Sequence, residues 1–372
     1  MGANHADENR ENLARWAQGT PLSELVACAS EVRERAFDRV ATYSKNFTLD
    51  LSHACANACT YCAFRVPSSG PVPASSLLLD DEEVRRRIEV AAAAGCVEAL
   101  ITSGENPGAD PRVARLLQRR GYRSFVEFAC NVARRCLEAG LLPHTNLGVL
   151  TLRELEQLKQ FNASMGAMLE STSTALCEPG GPHEQSPGKR PRRRLELLEL
   201  AGEASVPFTT GLLVGIGETW VDRVETLLAI AGSHERHGHV QEVIVQNFVR
   251  HPGTTIRAEP LDLVELVRVV AVARCLLPED VSVQVAPNLV AGWEGRFLDA
   301  GVNDFGGISP VTDDAVNPGH PWPRVEELRR ACEERGFELR LRLPVYPRFV
   351  EAKGFLSPHV EPVVKRWSRE LH

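Results

Sequence analysis

The sequence predicts an α/β protein that folds as a (β/α)8 TIM-type barrel. From about residue 47 onward, short β-branched or apolar runs alternate with helical segments. Such alternation implies parallel strands joined by right-handed crossovers. The 372 residues hold eight strand–helix units, enough for a barrel of about 250 residues with extensions at both ends. A partial barrel of six units would fit nearly as well.

The strands of the barrel are predicted from apolar runs bounded by turn residues. These runs are 47–51, 97–102, 142–146, 163–170, 208–216, 242–248, 281–287 and 304–308. The helices are predicted to begin near Asp81, Ser124, Thr151, Pro191, Thr219, Asp262 and Ala291, and a last helix to cover 323–335.

Three regions follow from this order of elements. Residues 1–46 are predicted to form an N-terminal helical extension, in which a polar lead precedes a helix at 21–39. Residues 47–336 form the barrel. Residues 337–372 form a C-terminal extension with an edge strand at 338–343 and a short helix.

Composition argues against nucleic acid and membrane as partners. The formal net charge of −7 disfavours binding to nucleic acid by bulk electrostatics. No apolar run is long enough to cross a membrane. The N-terminus shows no apolar signal segment, so we expect a cytoplasmic protein with reduced thiols. The one basic run, 189–194, is interpreted as a solvated helix start.

Cys55, Cys59 and Cys62 form a C-x3-C-x2-C motif directly after the first predicted strand. Structural zinc takes four protein ligands, and an ordinary four-iron cluster takes four cysteines. Three cysteines would leave one iron of such a cluster open to bind another molecule. A zinc site that recruits His53 as its fourth ligand is the alternative.

Polar residues stand at the ends of six of the predicted strands. Because the carboxyl ends of barrel strands surround the active-site mouth, we expect these side chains to meet there. They include Glu105, Asn146, Glu170, Glu218, Asn247 and Asn288.

The cysteine motif, with Tyr61 before its third cysteine, resembles that of radical S-adenosylmethionine (SAM) enzymes. The resemblance implies a radical SAM barrel with one 4Fe-4S cluster, whose open iron binds SAM. Ser103-Gly104-Glu105 resembles the motif that holds the SAM amino group, and 211–218 resembles the glycine motif beside adenine. Besides the three cysteines, the residues implied in cofactor binding are Tyr61, Gly104, Glu105, Glu170, Arg194, Gly215 and Gly217.

Longer strings resemble one family within this superfamily, the CofG-type subunit of 7,8-didemethyl-8-hydroxy-5-deazariboflavin (FO) synthase. The strings are 144–146, 162–171, 186–189, 207–220, 241–248 and 306–312. The resemblance implies a lyase of coenzyme F-420 biosynthesis. It would abstract hydrogen from 5-amino-5-(4-hydroxybenzyl)-6-(D-ribitylimino)-5,6-dihydrouracil, close the deazaflavin ring and release ammonia.

The same resemblance implies two protein partners and a set of substrate contacts. A CofH-type enzyme would supply the adduct, and a ferredoxin or flavodoxin-type protein would donate electrons. Polar residues expected to bind the substrate are Asn146, Asn247, Asn288 and Ser309. His144 and Asp304 are expected at the same mouth, and they are the acid–base candidates by residue type.

Two rival interpretations stay open. One is an adduct-forming or tyrosine-cleaving radical SAM relative. The other is a non-catalytic iron–sulfur or zinc-binding protein, which the Gly104-Glu105 pair and the glycines at 215 and 217 argue against.

Overall fold

The computed structural model describes residues 2–371, with side chains from residue 8 onward. The strands are β1 (Val40–Asp50), β2 (Glu98–Thr102), β3 (Leu142–Asn146), β4 (Ser164–Gly166), β5 (Phe208–Val214), β6 (Val240–Asn247), β7 (Ser282–Gln284), β8 (Asp304–Ile308) and β9 (Glu338–Leu341). The helices are α1 (Gly2–Gly19), α2 (Leu22–Phe37), α3 (Ala74–Leu77), α4 (Asp81–Ala93), α5 (Pro111–Arg119), α6 (Phe125–Glu138), α7 (Leu152–Lys159), α8 (Pro191–Glu203), α9 (Trp220–His237), α10 (Leu263–Leu276), α11 (Glu294–Asp299), α12 (Val325–Glu333), α13 (Pro347–Glu351) and α14 (Glu361–Leu371).

Strands β1 to β8 form a closed parallel barrel, which confirms the predicted fold class and shows that the barrel is complete. Each strand pairs with the next, β8 pairs with β1, and β1 pairs with β2. The long β1 also pairs with β9 through residues 40–43, while its residues 46–50 pair with β2. The first strand therefore starts at Val40, seven residues before the predicted start of the barrel.

Five helices begin close to the predicted residues because a side chain caps each amino end. The caps are Asp80, Ser124, Thr151, Thr219 and Asp262, and each accepts the backbone N–H three residues further on. A cap of this kind satisfies an N–H group that has no partner inside the helix, which fixes where the helix starts.

Several boundaries differ from the prediction. The polar lead before residue 21 is helix α1, which packs on α9, while α2 packs on α10. Helices α3 and α5 were not predicted. Strand β4 stops at Gly166, and the rest of the run predicted for it pairs only through a single bridge between Glu170 and Leu212. Among the described residues, no helix is long and apolar enough to cross a membrane.

The chain after β9 seals the amino end of the barrel. Arg342 forms ion pairs with Asp304 of β8 and Glu242 of β6. The carbonyl oxygen of Pro344 accepts a hydrogen bond from the Ser164 hydroxyl at 2.6 Å. With this end filled by protein, the carboxyl ends of the strands form the open mouth.

Candidate active site

The cysteine loop leaves β1 and folds back over the end of β2. The backbone N–H of Gly104 donates to the carbonyl of Ser52 at 2.8 Å, and that of Ala56 donates to the carbonyl of Glu105 at 2.8 Å. A Cβ on Gly104 would lie 2.1 Å from the carbonyl oxygen of Ala54. Glycine is therefore required at 104, because the loop and the strand end approach each other too closely for any side chain.

The protein directs hydrogen-bond donors at two of the three sulfurs. The Sγ of Cys55 accepts from the backbone N–H of Glu105 at 3.1 Å and of Asn57 at 3.4 Å. The Sγ of Cys59 lies 3.2 Å from the Ser186 hydroxyl. Burial is the main cause that raises the pKa of the Cys55 and Cys59 thiols. These donors would stabilise the thiolates once a metal replaces the thiol protons.

Residues 182–189 support the cysteine loop from the opposite side. The backbone N–H of Gly188 donates to Asn57 Oδ1 at 2.9 Å. That of Ala58 donates to the Ser186 hydroxyl at 3.2 Å. The Tyr61 hydroxyl lies 2.9 Å from His183 Nε2. The loop is thus held by neighbouring segments before any cofactor binds.

Glu105 is enclosed between two backbone segments and an arginine. Arg194 Nη2 donates to Glu105 Oε2 at 2.5 Å, and Arg194 Nε donates to the carbonyl of Gly188 at 2.7 Å. A Cβ on Gly188 would lie 1.3 Å from Glu105 Oε1, and one on Gly148 would lie 2.5 Å from Oε2. The buried Glu105–Arg194 pair therefore joins the end of β2 to helix α8, and the segment before α8 packs against the pair.

A second ion pair, Glu170 with Lys189, lies beside the first. Glu170 has φ of +67°, which non-glycine residues seldom adopt. Its backbone is held on β5, since its N–H donates to the carbonyl of Gly211 at 3.0 Å and its carbonyl accepts from Leu213 at 3.1 Å. Strained backbone held in this way is typical of functional sites.

The three cysteines and both ion pairs line one cavity of about 320 Å³ at the barrel mouth. Asn146 of β3 and Asn247 of β6 lie on its inner wall. A larger groove of about 1240 Å³ lies outside the barrel, among residues such as Tyr122, Phe125 and Leu197. None of the three cysteines lines that groove, so we assign the chemistry to the smaller cavity.

The thiols surround the cavity without converging on a point. Among the described residues, no three His, Cys, Asp or Glu side chains are placed to hold one metal ion. His53, the proposed fourth zinc ligand, has its Nδ1 3.0 Å from the carbonyl of Phe64 and its ring against the Phe64 ring. The arrangement fits a cluster, in which each cysteine binds a different iron, better than a single zinc ion.

Comparison with known proteins agrees with this site. Residues 49–230 match the family model described as the Radical SAM superfamily. A 7,8-didemethyl-8-hydroxy-5-deazariboflavin synthase from Methanopyrus kandleri is 49% identical over 332 residues, which are 88% of this chain and 98% of that protein. The chain belongs to the 7,8-didemethyl-8-hydroxy-5-deazariboflavin synthase family. It is therefore a radical SAM protein.

Two further comparisons concern length and fold. A protein named FO synthase from Streptomyces avermitilis is 42% identical over 360 residues, but they cover 94% of this chain and only 42% of that protein. The crystal structure of HydG, a maturase of the [FeFe]-hydrogenase, superposes with a TM-score of 0.70 at 17% identity, covering 91% of this chain and 76% of HydG. That likeness shows a shared fold.

The structure brings together most residues that the family resemblance singled out. Ten of them line the cavity: Cys55, Cys59, Cys62, Tyr61, Gly104, Glu105, Asn146, Glu170, Arg194 and Asn247. Gly215 and Gly217 do not line it. They have φ of +90° and +111° and form a turn in which the Glu218 carboxylate accepts the N–H of Gly215 at 2.9 Å.

Asn288 and Ser309 also lie off the cavity wall. Asn288 Nδ2 donates to Asp314 Oδ2 at 2.9 Å, and the Ser309 hydroxyl lies 2.7 Å from that of Thr312. Both side chains therefore hold the segment after β8. Their predicted substrate contacts have no support from the geometry.

The expectation that His144 lies at the mouth is wrong. His144 lies two residues before the end of β3, so it sits about 7 Å deeper in the barrel than Asn146. Its Nδ1 lies 2.7 Å from the Ser164 hydroxyl. Burial and the nearby Arg342 lower the pKa of His144 to about 3. The ring is part of the packed interior.

Asp304 is also misplaced by the prediction. As in the predicted strand 304–308, it is the first residue of β8, and it lies opposite Thr42 at the amino end of the barrel instead of at the mouth. The side chain is fully buried, pairs with Arg342, and accepts the N–H of Gly306 at 2.7 Å. With all of these partners at the sealed end, Asp304 has no route to a substrate in the cavity.

Three further residues line or support the cavity without having been predicted. Ser186 and Lys189 stand in a string that carried the family resemblance, Ser186-Pro187-Gly188-Lys189, but no role was given to them. His251 lines the cavity from the loop after β6, where no sequence signal marks it.

Proposed function

We propose that this protein completes the synthesis of FO in the formation of coenzyme F-420. It would act on 5-amino-5-(4-hydroxybenzyl)-6-(D-ribitylimino)-5,6-dihydrouracil as an ammonia-releasing lyase that closes the deazaflavin ring. The observation that carries the proposal is a cavity ringed by three cysteines in a chain that spans 98% of a named relative.

Cys55, Cys59 and Cys62 would hold a 4Fe-4S cluster, and SAM would bind in the adjoining space. When bound, the cluster supplies the electron that splits SAM into methionine and a 5′-deoxyadenosyl radical. The donors to the Cys55 and Cys59 sulfurs fit this group, because backbone N–H and hydroxyl donors stabilise metal-bound thiolates.

The residues of the chain would bind and orient SAM and the adduct. The carboxylates of Glu105 and Glu170 are each fixed by a cation, Arg194 and Lys189. The carboxylates would offer directed acceptors, and the cations donors, to the polar groups of SAM. The amides of Asn146 and Asn247 would bind uracil and ribityl oxygens, which are uncharged donors and acceptors.

A second enzyme, of CofH type, would supply the adduct. This chain covers only 42% of the Streptomyces FO synthase, so more than half of that protein lies outside the match. The remaining part of that longer protein has room for the partner activity, which supports a two-enzyme route in which this chain acts second.

A ferredoxin or flavodoxin-type protein would provide electrons. Arg190, Arg192 and Arg193 are exposed directly after the segment that contacts the cysteine loop. The first turn of α8 contains no acidic residue. Cations at the amino end of a helix oppose its dipole, so helix stability does not explain them. A small acidic electron carrier is the partner that this surface suits.

The test is to supply the anaerobically reconstituted protein with SAM, a reductant and the synthetic adduct, and to identify the products by mass spectrometry. FO, 5′-deoxyadenosine, methionine and ammonia are expected together. If tyrosine and 5-amino-6-(ribitylamino)uracil yield the adduct instead, the chain is an adduct-forming relative. A protein that cleaves no SAM contradicts the whole assignment.

A further inference from the structure

The cavity contains one side chain suited to move a proton near neutral pH. Of its other ionisable groups, Glu105 and Glu170 are held in ion pairs with Arg194 and Lys189. The cysteines are the cluster ligands, the Tyr61 hydroxyl is bonded to His183, and Arg65 stays charged. Among the described residues on the cavity wall, this leaves His251.

The loop after β6 places His251 firmly. Its carbonyl accepts the Thr254 hydroxyl at 2.9 Å. Further along the same loop, the N–H of Thr255 donates to the carbonyl of Thr60 at 2.8 Å, which joins this loop to the cysteine loop. The exposed fraction of His251 is 7%, and its ring meets the His320 ring edge-on with centroids 6.0 Å apart.

The charged and polar groups that face His251 come from the segment after β8. Burial is the largest cause that lowers the pKa of His251, and the neighbouring His320 adds to it. Asn317, Asp314 and the backbone of Pro318 act in the opposite direction. The imidazole is therefore mainly neutral at pH 7 and becomes a ready proton donor once it has gained a proton.

We infer that His251 is the catalytic acid–base group that carries a proton to the departing amine. The inference rests on the proposed function. As the substrate C–N bond breaks, its electron pair goes to nitrogen. The neutral imidazole takes a proton that the adduct gives up on becoming aromatic, and hands one proton to that nitrogen, which leaves as NH3.

This transfer leaves His251 unchanged and consumes no oxidant. The remaining change in the substrate is the loss of a hydrogen atom, a proton and an electron. The hydrogen atom goes to the 5′-deoxyadenosyl radical and the electron to the oxidised cluster, both of which the proposed function supplies, while the proton goes to solvent. Protons, electrons and the leaving group are then all accounted for.

The test compares His251→Gln with the wild type across pH, with His359→Gln, an exposed histidine outside the cavity wall, as the control. Initial rates of 5′-deoxyadenosine and of FO formation are measured separately on the adduct. We expect His251→Gln to keep the first within about twofold and to lower the second by about 100-fold, within the usual range for acid–base catalysis. The acidic limb of the FO rate profile should disappear.

Iron content and the thermal midpoint establish that the variant is folded, and His251→Asn repeats the test with a shorter amide. An unchanged FO rate, or equal losses of FO and 5′-deoxyadenosine with the pH limb intact, overturns the inference. Wild-type protein that makes 5′-deoxyadenosine but no FO from the adduct overturns the proposed function instead, and the inference with it.

Discussion

Gly188→Ala is predicted to damage the site through one added methyl group. The new Cβ would lie 1.3 Å from Glu105 Oε1 and 2.3 Å from its Cδ, so the carboxylate must move. Gly188 also donates its N–H to Asn57 Oδ1 at 2.9 Å and accepts from Arg194 Nε at 2.7 Å. A shift of either backbone or carboxylate therefore strains the contacts of the cysteine loop.

The size of the stability loss in Gly188→Ala depends on whether the Glu105–Arg194 ion pair survives. Inserting a methyl group into a packed site lowers the free energy of unfolding by about 1–3 kcal/mol. If the carboxylate swings away from Arg194, two buried charges lose each other, and the loss rises to about 3–5 kcal/mol. We therefore expect a clear drop in stability together with reduced cluster retention.

Thermal denaturation and iron content after anaerobic reconstitution measure the two effects. Gly108→Ala is the matched control, since its Cβ would meet only the Cβ of Phe125 at 3.8 Å, an ordinary contact. Wild-type stability and iron content in Gly188→Ala would refute the claim that Glu105 is confined between backbone segments.

Three other changes test separate parts of the account. Cys59→Ala should abolish the cluster absorption, whereas Cys96→Ala, in the buried core away from the cavity, should retain it. Absorption that survives in Cys59→Ala and is lost in Cys96→Ala would contradict the assigned ligands. Arg342→Met should lower the free energy of unfolding in urea by about 3–5 kcal/mol, because two buried carboxylates lose their cation, and an unchanged midpoint would argue against the pairing. The double variant Arg192→Glu and Arg193→Glu should slow turnover driven by reduced flavodoxin, while turnover driven by dithionite is unchanged. Arg369→Glu, in the last turn of α14, is the control. If the double variant and the wild type turn over equally fast with flavodoxin, this surface takes no part in electron transfer.

The sequence predicted the features that depend on local chemistry. The helix starts at Thr151 and Thr219 were predictable because each cap and its acidic partner stand three residues apart. The cysteine loop was predictable because its three cysteines stand within eight residues of one another. In both cases the residues that interact are close in the chain.

The features that could not be predicted from the sequence depend on contacts between distant segments. Asp304 was an acid–base candidate at the mouth by residue type, although the predicted strand 304–308 already began with it, and the first residue of a barrel strand lies at the opposite end. Its partner Arg342 lies 38 residues further along, beyond the predicted barrel. His251 reaches the cavity because its loop is held by Thr60, a pairing across almost 200 residues that no motif marks.

Transfer of deuterium is the most direct test of the central claim, that the cavity beside the three cysteines is where the radical meets the adduct. The adduct is prepared with deuterium at the benzylic carbon and incubated anaerobically with SAM, reductant and the reconstituted protein. The radical reacts within contact distance, so deuterium should appear in 5′-deoxyadenosine, in step with fluorescent FO. Unlabelled 5′-deoxyadenosine formed without FO would contradict the claim.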